Sequence, residues 1–404
     1  MKSKKAYLFI THHPDQLSLY KSLATIIRAW SKNDPVVLIK VNHPYYKTFN
    51  FTPYRQYFDS VIEFPFVYEK NILRGIRELA LFKTQLEKIE AYLAPFQSID
   101  VFLSHSAWLP INILLYRISK WKHIDRIYRF LLLSPSFLSS QRYDARRTLF
   151  YKLYSLLGNL FSLKQYKVKA LKSREGKEFV GFLYTQDIPG IAVRIVNPAQ
   201  RPMPPMNKGE IVLPYPLVKE RRPSLPKKDT LVVFGDAGIL ASYPEYVDDY
   251  REAVKKLTTF FRHFENYYAD YKLYYKPHPM DKAGELIPGI NPKKYRFFDN
   301  TVNAQLILDS YHERIGAVYT FSSTSAIWGS FFGIPSYTIY RYIYNEFGIA
   351  RFNTLFAQEG VSSKLIFHIS RLDQIGKKDK VKIPLRYIDL KNMDRRYRAL
   401  FHKL

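Results

Sequence analysis

The sequence predicts an α/β protein made of two Rossmann-like lobes. In both halves of the chain, short apolar runs typical of buried strands alternate with longer amphipathic runs typical of helices. A proline-rich stretch at 197–226, which disfavours helix and central strand alike, separates the two halves. With 404 residues, the chain is long enough for two domains that each have a core.

The first half shows the alternation from its start. Strands are predicted at 7–10, 36–41 and 99–103, and helices at 17–30 and 72–93. Strands that alternate with helices of this length are typical of a parallel, doubly wound sheet. A polar loop containing His12 and His13 follows the first strand.

The region from 121 to 172 has a different character, because it is rich in Lys and Arg between aromatic and aliphatic residues. Its segment 146–163 is predicted to be a basic amphipathic helix. Such a helix lies either on an anionic lipid surface or against the core with a solvated basic face, and both alternatives remain open here.

The second half repeats the pattern, with polar loops after its strands. Strands are predicted at 230–234, 271–275, 315–320 and 337–340, with a helix at 246–267. Ligands of open α/β sheets bind beyond the carboxyl ends of the strands, so the loops after the first three strands are expected to form one site. These loops read Gly-Asp-Ala-Gly at 235–238, Lys-Pro-His-Pro at 276–279 and Phe-Ser-Ser-Thr-Ser at 321–325.

The residue types in these loops suit a phosphate. Hydroxyls and unpaired N–H groups at a helix start favour an anion, and an imidazole can hydrogen-bond a phosphate or protonate it as it leaves. The alternative for the serine-rich loop is a simple helix cap before Ala326. Asp236 lies between glycines at the end of a strand, which makes it the best candidate for a catalytic carboxylate.

The Lys-Pro-His-Pro and Ser-Ser-Thr-Ser pair, followed by Gly-Ile-Pro at 333–335, resembles the HP and SS/ST motifs of bacterial transferases that use CMP-activated sugars. That group includes polysialyltransferases, lipooligosaccharide sialyltransferases and β-Kdo transferases. The resemblance covers roughly the last half of the chain. It implies the GT-B fold, in which two Rossmann-like lobes flank an interlobe cleft, and it implies transfer of an acidic sugar to lipopolysaccharide or capsule.

The resemblance also implies roles for individual residues. It implies that the CMP phosphate is bound without a metal or another cofactor. By the resemblance, His278, Ser322 and Ser323 contact this phosphate. From their place in the same loops, Lys276, Thr324 and Ser325 are expected to contact it too. The expected domains are an acceptor-binding lobe at 1–200, a linker at 201–227, a donor-binding lobe at 228–385 and a basic C-terminal helix at 386–404.

One departure from the family pattern concerns the general base. The similar sialyltransferases carry an acidic-acidic-glycine motif in the first lobe, and the nearest match here, at 174–176, lacks the paired acid. Two alternatives follow. In the first, His12 or His13 activates the acceptor hydroxyl. In the second, Asp236 attacks the anomeric carbon in a retaining double displacement.

The net charge of +27 predicts an anionic partner. We expect an acidic sugar donor, an anionic glycan or glycolipid acceptor, and peripheral docking on the inner face of the plasma membrane from the cytoplasm. No apolar run reaches the ~20 residues of a membrane span. The absence of cysteine excludes disulfides and thiolate sites. The residues expected to meet lipid are Arg146, Arg147, Lys152, Arg395, Arg396 and Arg398.

Two other functions compete with this interpretation. A polyol-phosphate transferase that uses CDP-glycerol would also combine a GT-B-like core with phosphate-binding histidines. A nucleic-acid-binding protein would account for the charge and the aromatic residues. The sequence contains no recognised nucleic-acid motif, and that function would leave the polar loops without a purpose. We therefore expect no nucleic-acid partner.

Overall fold

The computed structural model describes 5–11, 14–42, 50–64, 72–104, 106–107, 109–121, 123–131, 190–196, 209–218, 228–279, 281–282, 284–358, 366–377, 395–402 and a few short stretches between them. The chain divides into two compact units. Unit 1 comprises Met1–Val196, Pro204–Val218 and Asp389–Leu404, and unit 2 comprises Asn197–Met203 and Lys219–Ile388.

Unit 1 is built on a seven-stranded sheet whose strands are all parallel. The strands are β1 (Lys5–Thr11), β2 (Val36–Val41), β3 (Ser60–Phe64), β4 (Ser98–Ser104), β5 (Ile124–Leu131), β6 (Ile191–Val196) and β7 (Ile211–Pro214). The helices are α1 (Leu17–Trp30), α2 (Thr52–Arg55), α3 (Ile72–Leu93) and α4 (Leu109–Ile118). The spatial order is β7-β6-β5-β4-β1-β2-β3, which is the Rossmann order with one further strand at the edge.

The C-terminal helix α11 (Arg395–His402) completes unit 1. Its apolar face is buried, and the Phe401 ring lies 5.5 Å from that of Trp30. Two hydrogen bonds attach it to the sheet: the Tyr128 hydroxyl donates to the Leu400 carbonyl at 3.2 Å, and the Tyr397 hydroxyl donates to the Pro214 carbonyl.

A buried ion pair lies near the start of the central strands of unit 1. Lys5 Nζ is 2.9 Å from Asp100 Oδ2, and the Asp100 side chain is fully buried. Burial raises the pKa of Asp100, and the hydrogen bond and charge of Lys5 oppose that rise. Removing a buried charge from water is costly unless the charge is paired, so we infer that Lys5 makes this aspartate tolerable.

Unit 2 is built on a six-stranded sheet, also parallel throughout. The strands are β8 (Thr230–Phe234), β9 (Lys272–Lys276), β10 (Tyr295–Phe297), β11 (Ile315–Thr320), β12 (Ser336–Thr338) and β13 (Ile366–His368). The helices are α5 (Ile239–Ser242), α6 (Tyr250–Tyr267), α7 (Ala304–Tyr311), α8 (Ser325–Phe331), α9 (Tyr340–Ile343) and α10 (Glu346–Gln358). The order β10-β9-β8-β11-β12-β13 is the Rossmann order.

The predicted fold class, α/β with two Rossmann-like lobes, is confirmed by these two sheets. The predicted linker at 201–227 is wrong in part, because β7 lies inside it and pairs with β6. Its Ile-Val-Leu run forms an ordinary strand, and Pro214 is tolerated because it ends an edge strand. The strand predicted at 337–340 is shorter than expected, because helix α9 begins at Tyr340.

The basic region at 121–172 contains β5, which sequence reasoning missed. Its predicted helix at 146–163 lies largely outside the described residues. Among the helices that the structure describes, none combines the length and the hydropathy needed to cross a bilayer.

Candidate active site

The predicted polar loops of unit 2 surround the point where the strand order reverses. From β8, the chain builds outward through β9 and β10, and then returns to place β11 on the other side of β8. Ligands of doubly wound sheets bind outside the carboxyl ends of the strands at such a switch point. The loops that follow β8, β9 and β11 carry Asp236, His278 and Ser322, so the topology places all three residues at one edge.

A close approach of backbone and side chain fixes the turn that precedes Asp236. The Gly235 N–H donates to the Lys276 carbonyl at 2.8 Å. A Cβ on Gly235 would lie 2.0 Å from the hydroxyl oxygen of Tyr275, so only glycine fits there. That hydroxyl oxygen accepts the Ile287 N–H at 3.3 Å, which holds the tyrosine ring in place. The glycine before Asp236 is therefore a packing requirement.

Asp236, His278 and Asp281 form a compact, partly buried cluster. One ligating atom from each residue lies within 4.8 Å of the others. Burial raises the pKa of Asp236, the positive form of His278 lowers it, and the charges of Asp281 and Glu285 raise it further. A carboxyl group whose pKa is perturbed by burial and by neighbouring charges is a candidate for a reaction site.

The same three side chains have the composition of a site for a divalent cation, since they offer two carboxylates and an imidazole. Asp281 is already engaged, because its two oxygens accept backbone N–H groups. Oδ1 accepts that of Ala237 at 3.2 Å, and Oδ2 accepts that of His278 at 2.8 Å. The expectation of a metal-free site stays a prediction, and this cluster is the place at which a divalent cation would test it.

The hydroxyls of the serine-rich loop after β11 have different surroundings: one bonds within the loop, and the others suit a ligand. Ser323 holds the turn before α8, because its Oγ accepts the Ser325 N–H at 3.1 Å and donates to Ser325 Oγ at 3.1 Å. Helix α8 spans only seven residues, so its dipole contributes little to anion binding. Ser322 is buried at the end of the sheet, and Thr324 and Ser325 are partly exposed. The hydroxyls are therefore the groups that suit a phosphate here.

Tyr344 belongs to the same edge, although sequence reasoning missed it. Burial raises the pKa of Tyr344, the Ser322 side chain beside it lowers it, and the negative charge of Asp236 raises it. Its ring is held 5.1 Å from Phe321 and 5.4 Å from Tyr246. The tyrosine follows no motif, and only the tertiary fold brings it to Asp236.

The Lys276 side chain is buried and hydrogen-bonds to two backbone carbonyls. Its ammonium donates to the carbonyl of Pro277 and, at 3.2 Å, to that of Asn300. The residue is 3 % exposed. Burial lowers the pKa of Lys276 to about 8, and the charges of Asp281 and Asp299 oppose this change. The cation therefore ties the end of β9 to a neighbouring loop, and its predicted contact with a ligand phosphate stays a prediction.

The structure brings together Asp236, His278 and the 322–325 loop from the predicted site residues. His12 and His13, the alternative acid-base residues, lie outside the described residues. Asp281 was missed as well. One signal pointed to it: Pro277 and Pro279 have no N–H group, so His278 carries the only backbone donor in 277–279, and an acceptor three residues later suits it.

No protein-family model matches the chain, and no curated protein matches it significantly. Solved structures similar to it include the glycotransferase of kitacinnamycin, with TM-score 0.43, 12% identity and coverage of 99% of this chain and 96% of that chain. A putative UDP-N-acetylglucosamine 2-epimerase from Listeria monocytogenes gives TM-score 0.42 and 9% identity, covering 83% and 79%. ADP-heptose lipopolysaccharide heptosyltransferase II from E. coli gives TM-score 0.36 and 11% identity, covering 83% and 84%. Likenesses this distant assign no function.

Proposed function

We propose that this protein is a glycosyltransferase that moves an acidic 2-keto sugar, of the Kdo or sialic acid type, from a CMP donor to a bacterial surface glycan. One observation carries the proposal: Asp236 and His278 lie in one cluster at the topological switch point of a Rossmann-type sheet, and the 322–325 loop follows the strand on the other side of β8. A carboxylate, an imidazole and hydroxyls at that place suit the cleavage of a glycosyl phosphate bond.

In the proposed reaction, the hydroxyls of Ser322 and Thr324 hydrogen-bond the CMP phosphate. When the bond between the anomeric carbon and the phosphate oxygen breaks, its electron pair stays with the phosphate. His278 stabilises that charge by hydrogen bonding or by donating a proton. Asp236, in its ionised form, adds to the anomeric carbon. The acceptor hydroxyl then displaces the aspartate with a second inversion, and its proton passes to neutral His278 or to the released phosphate. The product retains the donor's configuration. In the alternative, His12 or His13 activates the acceptor hydroxyl for a single inverting step.

The donor is tested by thermal unfolding with CMP, CDP, UDP, GDP and ADP in the presence of EDTA, since a ligand of the folded state raises the melting temperature. We expect stabilisation by the cytidine nucleotides alone. Equal stabilisation by UDP or ADP would contradict the CMP donor. Stabilisation that appears only with a divalent cation would assign the Asp236, His278 and Asp281 cluster to a metal. Turnover of CDP-glycerol instead of CMP-sugars would identify a polyol-phosphate transferase.

His278→Ala tests the phosphate contact. Hydrogen bonds to charged groups contribute about 1.5–3 kcal/mol, so we expect CMP affinity measured by calorimetry to fall roughly 10- to 100-fold. His263, an exposed histidine on α6, provides a matched control, and His263→Ala should bind CMP normally. Unchanged affinity in His278→Ala would remove this residue from the phosphate site.

We further propose that α11 contributes to docking on the anionic inner face of the plasma membrane. Its residues Arg395, Arg396 and Arg398 are exposed, on the side opposite its buried apolar face. A basic residue near an anionic leaflet contributes about 1 kcal/mol. Flotation with anionic and neutral vesicles is the test, with the triple Arg→Gln variant as comparison. Equal binding of the protein to anionic and neutral vesicles, unchanged by salt, would contradict the proposal.

A further inference from the structure

We propose that Asp281 is a positioning residue that holds Asp236 and His278 in their working geometry. This inference rests on the proposed function of the same site. The two oxygens of the Asp281 carboxylate accept N–H groups from two different loops, that of Ala237 after β8 and that of His278 after β9. The Asp281 N–H donates in turn to the His278 carbonyl at 3.0 Å. One side chain therefore links both reactive loops.

A carboxylate is the side chain that this position requires. Two backbone donors approach it from separate loops, and each donor needs an acceptor oxygen. An asparagine in the same place has one oxygen, so it satisfies one loop and turns an N–H₂ group toward the other. Hydrogen bonds to a charged acceptor are also shorter and stronger than neutral ones. Because Ala237 directly follows Asp236, losing its hydrogen bond frees the turn that aims the Asp236 carboxylate.

Asp281 has a second effect, through its charge. Burial is the main cause of the raised pKa of Asp236, and Asp281 and Glu285 increase it. His278 acts in the opposite direction, and the hydroxyls of Tyr275 and Tyr344 also respond to Asp236. Removing a neighbouring negative charge lowers the pKa of Asp236, so the acid limb of the rate profile moves to lower pH.

Three substitutions at Asp281 separate position from charge, and one at Glu285 provides the control. Asp281→Ala removes the charge and both acceptors. Asp281→Asn removes the charge and one acceptor. Asp281→Glu keeps the charge but shifts the carboxylate by one methylene. Glu285 is exposed and accepts the Lys282 N–H at 3.1 Å, whereas the Ala237 and His278 N–H groups donate to Asp281. Glu285→Gln therefore removes a comparable charge while leaving both hydrogen bonds of Asp281 intact.

The first measurement needs no substrate. Amide hydrogen exchange should accelerate at least about tenfold at Ala237 or His278 in Asp281→Asn, at both in Asp281→Ala, and at neither in Glu285→Gln. Thermal unfolding verifies that the variants fold. If one of them does not, amide exchange is measured in Asp281→Glu in its place. Unchanged exchange at both amides in Asp281→Ala would overturn the proposal, whether or not the protein binds CMP.

The second measurement is the pH dependence of sugar transfer. Misplacing a reacting group by about 1 Å costs roughly 10²-fold, so kcat should fall about 10- to 100-fold in Asp281→Asn and Asp281→Glu, with a smaller change in KM. The acid limb should move to lower pH in Asp281→Asn and Glu285→Gln and stay in place in Asp281→Glu. A normal kcat in Asp281→Asn would also overturn the inference. If wild-type protein bound no nucleotide, the proposed function would fail, and the exchange data would still decide whether Asp281 holds the two loops.

Discussion

The two sheets share a strand order, yet they carry the polar groups described above at opposite ends of their central strands. In unit 1, Lys5 is the first residue of β1 and pairs with Asp100 near the start of β4. In unit 2, Asp236, His278 and Asp281 follow the last residues of β8 and β9. Ligands of these folds bind at the carboxyl ends, so the ion pair in unit 1 is placed to stabilise and the cluster in unit 2 is placed to bind.

Burial alone does not distinguish a structural charge from a functional one. Both groups are shielded from water, and burial raises the pKa of Asp100 and of Asp236 alike. The difference is the partner. Asp100 is matched to the cation Lys5, whereas Asp236 lies among an imidazole and two further carboxylates. Substitutions in the unit 1 ion pair should therefore reduce stability and leave binding unchanged, whereas substitutions in the unit 2 cluster should reduce activity.

The largest effect is expected for Asp236→Asn. The amide keeps the shape of the carboxylate and removes the charge that would attack or stabilise the anomeric carbon. Transfer should fall by roughly 10²- to 10³-fold, with little change in CMP affinity. Initial rates and calorimetry measure the two quantities. If Asp236 is the nucleophile, protein given donor alone should gain the mass of one sugar on the peptide that contains it.

A matched control for this substitution is Asp299→Asn. Asp299 is another carboxylate of unit 2, and it caps the Thr301 N–H at 2.7 Å. Near-normal transfer by Asp236→Asn would make Asp236 a turn residue and would move the search for the catalytic group to His12 and His13.

Lys5→Met should affect stability and leave binding unchanged. Leaving a buried carboxylate unpaired costs about 3–5 kcal/mol. The pKa of Asp100 is raised in the folded protein, so its contribution to stability is greatest at low pH and falls as the pH rises through that pKa. The loss caused by Lys5→Met should therefore be large at neutral pH and smaller in acid. Urea unfolding at several pH values measures it, and reduced CMP affinity would contradict the assignment of this pair to stability.

Lys276→Met should have the smallest effect on stability. It also tests the contrast between the two units, because Lys276 lies at the carboxyl end of β9 and yet is expected to stabilise the fold. In the folded protein its pKa is lowered to about 8. Between that value and the ordinary value near 10.5, the unfolded chain binds more protons, so stability rises with pH there. The slope reaches at most about 1.4 kcal/mol per pH unit, and Lys276→Met should abolish it. A large loss of CMP affinity would instead make Lys276 a ligand contact.

The strands of the central sheets were predictable where apolar runs are continuous. The predicted strands 36–41, 230–234 and 315–320 match β2, β8 and β11 to the residue. Such runs are long enough to be buried on both faces, as parallel sheets require. Edge strand β7 was missed because prolines surround it, and an edge strand tolerates what a central strand does not.

The loops of the site were predictable for a different reason. Polar residues directly after buried strands meet at one edge by topology, which placed Asp236 and His278 together. The hydrogen bond from the Ala237 N–H to Asp281 joins two separate loops, and no local sequence pattern predicts it. Tyr344 likewise reaches Asp236 only through the packing of unit 2. A pattern of residue types does not show which distant residues will pack or hydrogen-bond together, so these two residues could not be predicted from it.

Helix α11 has a consequence for how the chain acquires its structure during synthesis. Unit 1 draws on segments from 1–196, 204–218 and 389–404, so almost the whole of unit 2 is translated before α11 exists. Domains generally fold as units in the order in which they emerge. Unit 2 can therefore mature on the ribosome while the surface of unit 1 around Trp30 and Tyr128 still lacks α11. Over that interval the aromatic rings that α11 covers in the finished protein are not yet covered by it.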